Sequence, residues 1–310
     1  MRKAEAWSGL VTLLGNLAIS WTTAGYMERA LEVLREALQL AAAHDEARGC
    51  GVVLAGEMYK SLRDLGRYAE ALRWIEPALA SEPGTRTAIM QCHAACGWMH
   101  LGQHARAQRE INAALAARAS DFVHAKALQM RARLALALGQ RGAGVPLDEA
   151  LQIIQSLNGR PAVRASIVLD HALTLEPAAA LAAARGVVAE GERLDLPGTA
   201  LSGHIRATRF AVDAGLAADA DAHARAALAI GDDVAPNDLY PAECWLNASR
   251  ALRLASHDSE ADEVLRRGVQ WVQSTLQTQV PEPFRSSFVR ANPVNQQLLR
   301  AAARVNQGVL

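Results

Sequence analysis

Aromatic residues are scarce, at 5% of 310 positions, while alanine supplies roughly a fifth of the chain, well above its usual share. Alanine is the best helix former, and β-branched and aromatic residues are what strands favour, so this balance predicts helices and excludes an all-β sandwich or barrel. Net charge is lacking too, because 32 basic residues offset 32 acidic ones. A global field for nucleic acid or an anionic membrane is therefore absent, which leaves only local patches. Cysteine is rare: Cys50, Cys92, Cys96 and Cys244 are too few and too scattered for a disulfide scaffold, and a reducing, cytoplasmic setting fits them. No apolar run reaches the roughly 20 residues of a membrane span. The length suits about two ordinary domains, or one repeat array that grows without a single core.

Met1-Arg2-Lys3 followed by Leu10 to Ile19 has the outline of a secretory signal, but Glu5 and Asn16 interrupt it, and the same residues fit the repeat described below. Catalytic motifs are missing. There is no Gly-x-Ser-x-Gly elbow, no His-Glu-x-x-His helix, no dinucleotide fingerprint and no Walker loop, so no enzyme activity and no cofactor are expected. Asp232, Asp233 and Asp238 stand near Pro236 and Asn237 without calcium-loop spacing, and they read as the solvated side chains of a turn. Cys92, Cys96 and His100, with His93, Met99 and His104 nearby, fall at i, i+4 and i+8 and would form one stripe of soft ligands on a helix. At 1.5 Å per residue the outer two lie about 12 Å apart, too far for one zinc ion. The stripe therefore reads as packing, and no metal is expected.

What is present is a repeat. Gly66-Arg67-Tyr68-Ala69-Glu70-Ala71-Leu72 recurs in looser form as Gly25-Tyr26-Met27-Glu28-Arg29-Ala30-Leu31, as Gly102-Gln103-His104-Ala105-Arg106-Ala107-Gln108 and as Gly215-Leu216-Ala217-Ala218-Asp219-Ala220. Gly25 to Gly66 is a step of 41 residues and Gly66 to Gly102 one of 36. Gly139 and a degenerate turn near Pro177 divide the next interval, and a last copy sits at Ser256-His257-Asp258-Ser259-Glu260-Ala261. A period of about 37 lies in the range of helix-turn-helix solenoids. The glycine would end the first helix of each pair in a left-handed conformation. The alanine about five positions later would stand where two helices approach most closely. Leu17 with Trp21, and Met58 with Leu62, supply large apolar residues before the turn. Ala30, Leu34, Ala37 and Ala71, Ile75, Ala78 supply a small-large-small set after it, and Pro83 would close the second unit. An alanine-rich helical bundle without repeat order is the simpler alternative.

This pattern resembles the tetratricopeptide repeat family over nearly the whole chain, to about residue 270. It weakens between residues 140 and 195, where Arg141 to Pro146 lengthens one turn and Pro177 replaces a turn glycine. The resemblance implies an all-α, right-handed α-solenoid of about seven helix pairs over 1–270, followed by a capping segment over 271–310. In that segment Val280-Pro281-Glu282-Pro283 breaks the helix, and Phe284, Phe288, Leu298 and Leu299 offer apolar faces that would cover the last repeat. The ending also resembles that of the repeat regions of large bacterial signalling ATPases and transcriptional activators. No nucleotide-binding module or basic recognition helix accompanies it, so the chain reads as a sensor or interaction piece of a longer regulator.

In tetratricopeptide proteins the first helix of each pair lines the concave face. Carried over turn by turn, this implies that Asn16 and Ile19, then Glu57, Lys60 and Arg63, point inward. Lys126, Gln129, Arg133, Arg164, His171, Arg206, Arg209, Arg250 and Arg253 would follow. The expected ligand-binding set is Asn16, Lys60, Arg63, Lys126, Arg133, Arg206, Arg209, Arg250 and Arg253, a basic groove for an acidic protein or peptide segment, since guanidinium forks bind carboxylates in bidentate fashion. Intra-repeat salt bridges through Glu57, Asp64 or Asp213 are the bland alternative. A small-molecule effector on the same face, and a structural oligomerisation module with its apolar patch at a solenoid end, are the rival functions. No direct nucleic-acid or membrane partner is implied.

Overall fold

The computed structural model describes residues 2–80, 85–117 and 119–306, all of it helix and turn, with no strand among the described residues. Among the described residues seven helix pairs follow one another: α1 (Arg2–Ala24) with α2 (Met27–Ala43), α3 (Gly51–Asp64) with α4 (Tyr68–Leu79), α5 (Thr85–His100) with α6 (His104–Ala116), and α7 (Asp121–Ala137) with α8 (Gly144–Ser156). After them come α9 (Pro161–Ala172) with α10 (Pro177–Arg193), α11 (Pro197–Asp213) with α12 (Ala217–Ile230), and α13 (Glu243–Leu254) with α14 (Asp258–Thr278). The short α15 (Arg285–Arg290) and α16 (Pro293–Asn306) are the last helices among the described residues. The result is an all-α solenoid with a tetratricopeptide-like repeat.

The turns obey the chemistry read from the sequence. At Gly66, φ is +77°; its N–H reaches Arg63 O at 2.9 Å and the Arg67 N–H reaches Leu62 O at 2.8 Å. These two bonds close the last helical turn, and the left-handed residue between them carries no Cβ penalty. The turn at Ser256 has the same geometry with φ +63° and no glycine. Ala30, Ala71, Ala107, Ala220 and Ala261, the small residues expected at the close approaches, are all buried. The two prolines that blur the middle repeats sit at helix starts: Pro177 opens α10, and Pro146 lies in the first turn of α8. There the missing N–H has no intrahelical partner to lose. Pro83 lies outside the described residues.

Odd-numbered helices pack on one another in succession from α1 to α13, and α1 also meets α11. They form the inner layer, and the even-numbered helices cover them from outside. The closure is tight: a Cβ on Gly25 would stand 2.8 Å from the backbone of Gly198. At the end helix, Leu17 is exposed rather than packed as expected, together with Leu10 and Leu13, because no repeat lies against that flank of α1.

The end of the chain is covered differently. Helix α14 runs through residue 270 to Thr278, and α16 packs on α13 and α14. Phe288 and Leu298 are fully buried. The tail also reaches the second and third pairs. Ala69 N–H bonds Gln279 O at 2.8 Å, Asn292 Nδ2 bonds His100 O at 2.7 Å and Ser287 Oγ bonds Leu101 O at 2.7 Å. A single apolar core consequently includes residues of α1 to α7 together with residues of α13 to α16. Among the described residues, no helix is long and apolar enough to cross a membrane.

Candidate functional site

Connections from an even helix to the next odd one are short, as at 157–160 and 194–196, with one exception. Residues 231–242, between α12 and α13, run into the hollow bounded by the inner helices. Ala235 N–H bonds Gly25 O at 3.0 Å, and Asn237 bonds Thr23 O on α1 and Ser202 Oγ on α11, both at 2.9 Å. Asp238, in the left-handed region at φ +59°, then places its carboxylate among α3, α7 and α9. Arg63 Nη2 donates to it at 2.7 Å and Lys126 Nζ at 3.0 Å. Ser166 Oγ lies 3.5 Å away, and Arg133 Nη1 donates to the Asp238 carbonyl at 2.6 Å. Leu239 is buried behind it, and the Tyr240 ring lies 4.9 Å from that of His100.

The cluster is nearly dry, with side-chain exposures of 1% for Arg63, 6% for Lys126 and 11% for Asp238. Burial alone would raise the Asp238 carboxyl, but Lys126, Arg63 and Arg133 together hold it well below the usual carboxylate range. Asp64 is bound to Arg63 at 2.7 Å, yet burial and the neighbouring Asp238 push its carboxyl up to about 6. Beside this group Arg133 Nε bonds Asp170 at 2.5 Å, and Gln129 bridges Ser166 and Asp170. Arg206 pairs with Glu243 at 2.8 Å. Several buried polar atoms here lack a hydrogen-bond partner, among them Arg63 Nη1, Asp64 Oδ2, Asp170 Oδ1, Arg206 Nε and Glu243 Oε2.

The expected site residues therefore divide. Arg63, Lys126, Arg133 and Arg206 are brought together on the inner face, and Lys60 is half-buried on α3, near enough to help hold down the Asp238 carboxyl. Asn16 is exposed on α1, apart from them, beside a cavity of about 370 Å³ lined also by Ile19, Cys50 and Glu57. Arg209, Arg250 and Arg253 do not supply the free guanidinium groups expected of them. Arg209 and Arg250 share Asp213 at 3.7 and 3.3 Å, and Arg253 pairs with Asp262 at 2.5 Å and Asp258 at 3.8 Å. Carboxylates one helical turn away, on the adjoining repeat or on the second helix of the same pair neutralise them. Arg206 is likewise paired. Arg164 and His171, further along the same face, pair with Glu190 and Asp148 on neighbouring helices.

Asp238 was missed. Read from sequence as a solvated turn residue, it is the carboxylate on which three helices converge. Its signal was the length of the 231–242 connection, which no repeat turn requires. The Cys92, Cys96 and His100 stripe is buried as packing beneath the cluster; Cys96 Sγ lies 3.7 Å from His100 Nε2 and 3.8 Å from Arg133 Nη1. Among the described residues, no group of three or more metal-ligating side chains could hold an ion.

Searches with the sequence find no matching protein family and no matching characterised protein. The fold is similar to that of solved proteins. A Rap protein complexed with competence and sporulation factor matches with a TM-score of 0.55 at 11% identity, over 97% of this chain and 99% of that one. A tetratricopeptide repeat protein from Parabacteroides merdae matches at 0.45 with 15% identity, over 94% and 99%. The first likeness establishes the tetratricopeptide-like fold. It assigns no ligand.

Proposed function

We propose that the chain is a non-enzymatic scaffold that binds an extended, acidic protein or peptide segment against the inner faces of α3, α5, α7 and α9, as the sensor or interaction region of a cytoplasmic, bacterial signalling or transcription regulator. One observation carries this reading: the inner wall already holds a non-helical stretch of polypeptide, residues 231–242, and it does so in part through buried cations aimed at a carboxylate. Such a wall is pre-organised, so little ordering entropy is lost when a segment docks, and charge complementarity sets its register. A partner's Asp or Glu side chain would accept hydrogen bonds from Arg63 and Lys126, and Arg133 Nη1 would donate to a backbone carbonyl of the partner, as it does to that of Asp238. The Rap likeness supports the reading at the level of architecture, since that protein was solved with a bound factor.

Selection of displayed random peptides of about nine residues against the intact chain tests it. The reading expects enriched sequences to be acidic and to lose affinity about tenfold or more when their own Asp or Glu is changed to Asn or Gln, the equivalent of one charge-assisted hydrogen bond. No enrichment, or binders indifferent to that change, would reject it. An oligomerisation role has one observation in its favour, the exposed Leu10, Leu13 and Leu17 on α1; a concentration-dependent mass change by light scattering that is abolished by Leu13→Glu would support it. A small effector has a cavity of about 180 Å³ open to it, lined by Met99, Leu136, Leu173 and Tyr240.

A further inference from the structure

We infer that residues 231–242 are a built-in occupant of the groove, and that the external partner is an acidic segment which replaces Asp238 and displaces this loop. The inference rests on the groove reading above and adds what the partner must look like and what it must compete with.

Three independent observations converge on it. The loop is held by scattered polar contacts, from the Asp238 carboxylate to Arg63 and Lys126, from the Asn237 side chain to Thr23, and from the N–H groups of Asn237 and Ala235 to Ser202 and Gly25, rather than by a helix or sheet ladder. It is thus bound to the wall in the manner of a ligand. Open space lies on both sides of it: a cavity of about 660 Å³ is lined by Asp232, Val234 and Pro236, and one of about 180 Å³ by Asp238 and Tyr240. Removal of the loop would join the two into one channel along the inner helices. Finally, the fit is incomplete. Arg63 Nη1 and Asp64 Oδ2 in the wall, and Asn237 Oδ1 in the loop, are buried without partners, and Asp238 is held at positive φ without being glycine. A half-satisfied buried network is costly relative to one opened to water or matched by a better ligand. A ligand shifts such an equilibrium only by its difference in affinity for the open and closed states, and an acidic segment has that difference because in the closed state Arg63 and Lys126 are already bonded to Asp238.

The partner that fits carries an acidic residue followed by apolar and aromatic ones, as Asp238-Leu239-Tyr240 do. The probe is therefore a capped, fluorescent peptide with the loop's own sequence from Val234 to Ala242. It would be titrated against the intact chain and against a full-length variant in which 232–241 are replaced by a Gly/Ser linker of equal length. The inference expects binding to the linker variant, binding about tenfold or more weaker to the intact chain, and a further loss of about tenfold or more when the peptide's aspartate is changed to asparagine. Equal binding to both chains, equal binding of the asparagine peptide, or no binding to a folded linker variant would each overturn it.

Hydrogen exchange on the intact chain keeps the question open to refutation if the linker variant does not fold. The amides of 233–240 should exchange through a local opening well below the free energy of α5 and α7, whereas exchange only with global unfolding overturns the displacement. Failure here is separable from failure of the groove reading. Acidic peptides selected against the intact chain that bind the linker variant equally well would leave the groove standing without its plug.

Discussion

Two sets of arginines, both placed on odd-numbered helices by the same repeat phase, behave as opposites. Arg63 and Arg133, with Lys126, are buried around Asp238, a residue far away in sequence. Arg209, Arg250 and Arg253 are partly solvated and pair with Asp213, Asp258 and Asp262 close by. The difference is one of dielectric and of partner. In the outer set, solvent screens each pair, and long side chains lose entropy to hold it, so such pairs contribute little. In the inner set, removing one partner strands a charge in the interior, which costs several kcal/mol. The phase of a repeat thus tells which side chains face inward, but only the path of the 231–242 loop tells which of them are charged by design toward a common point.

The largest test of this contrast is Arg63→Ala, which leaves Asp64 and Asp238 facing each other without their shared cation. Urea unfolding should report a loss of about 3–5 kcal/mol. A loss below about 1 kcal/mol would make the inner set no different from the outer one.

Acid should act on the inner region next. Burial, with Arg63 nearby, holds the imidazoles of His93 and His100 well below their ordinary value. Both stay neutral in the folded chain, while in the unfolded chain they take up protons as pH falls through about 6.5. The unfolded state then binds more protons, so stability should decline from that pH downward. Asp64 works the other way. With its carboxyl pushed up to about 6, it binds its proton first in the folded chain, and between about pH 6 and the ordinary carboxylate range it offsets part of the decline. Asp64→Asn should therefore steepen the loss between pH 6.5 and 4.5 in thermal melts; an unchanged slope would contradict the assignment. Asp238, held well below the usual range, should keep its charge throughout that window.

The outer set should give the smallest effect. Asp213→Ala frees both Arg209 and Arg250, and the expected cost is at most about 1 kcal/mol, shrinking further in high salt. A cost of several kcal/mol, insensitive to salt, would erase the distinction.

How much of this was legible follows from the range of each interaction. The turn glycines, the buried alanines five positions on and the inward phase of Arg63, Lys126, Arg133 and Arg206 are local properties of a helix pair, and the repeat displays them. The carboxylate that meets Arg63 lies 175 positions away, and the same carboxylate is 112 from Lys126. No periodicity carries such a contact, and a loop of Asp, Pro and Asn looks the same whether it faces water or a groove. The tail was legible as apolar faces after a double proline, and Phe288 and Leu298 are buried as that pattern implies. Its bonds to Leu101 and His100 on the third pair were not, because they depend on how far the solenoid curls.

The account stands most directly on one titration. In the linker variant, affinity for the Val234–Ala242 peptide would be measured by fluorescence anisotropy with Lys126→Met and, separately, with Arg250→Ala. The account predicts a loss of about tenfold or more for Lys126→Met and a change of less than about twofold for Arg250→Ala, since a charge-assisted bond is removed in the first case and a screened surface pair in the second. Equal losses, or a larger loss at Arg250, would contradict it.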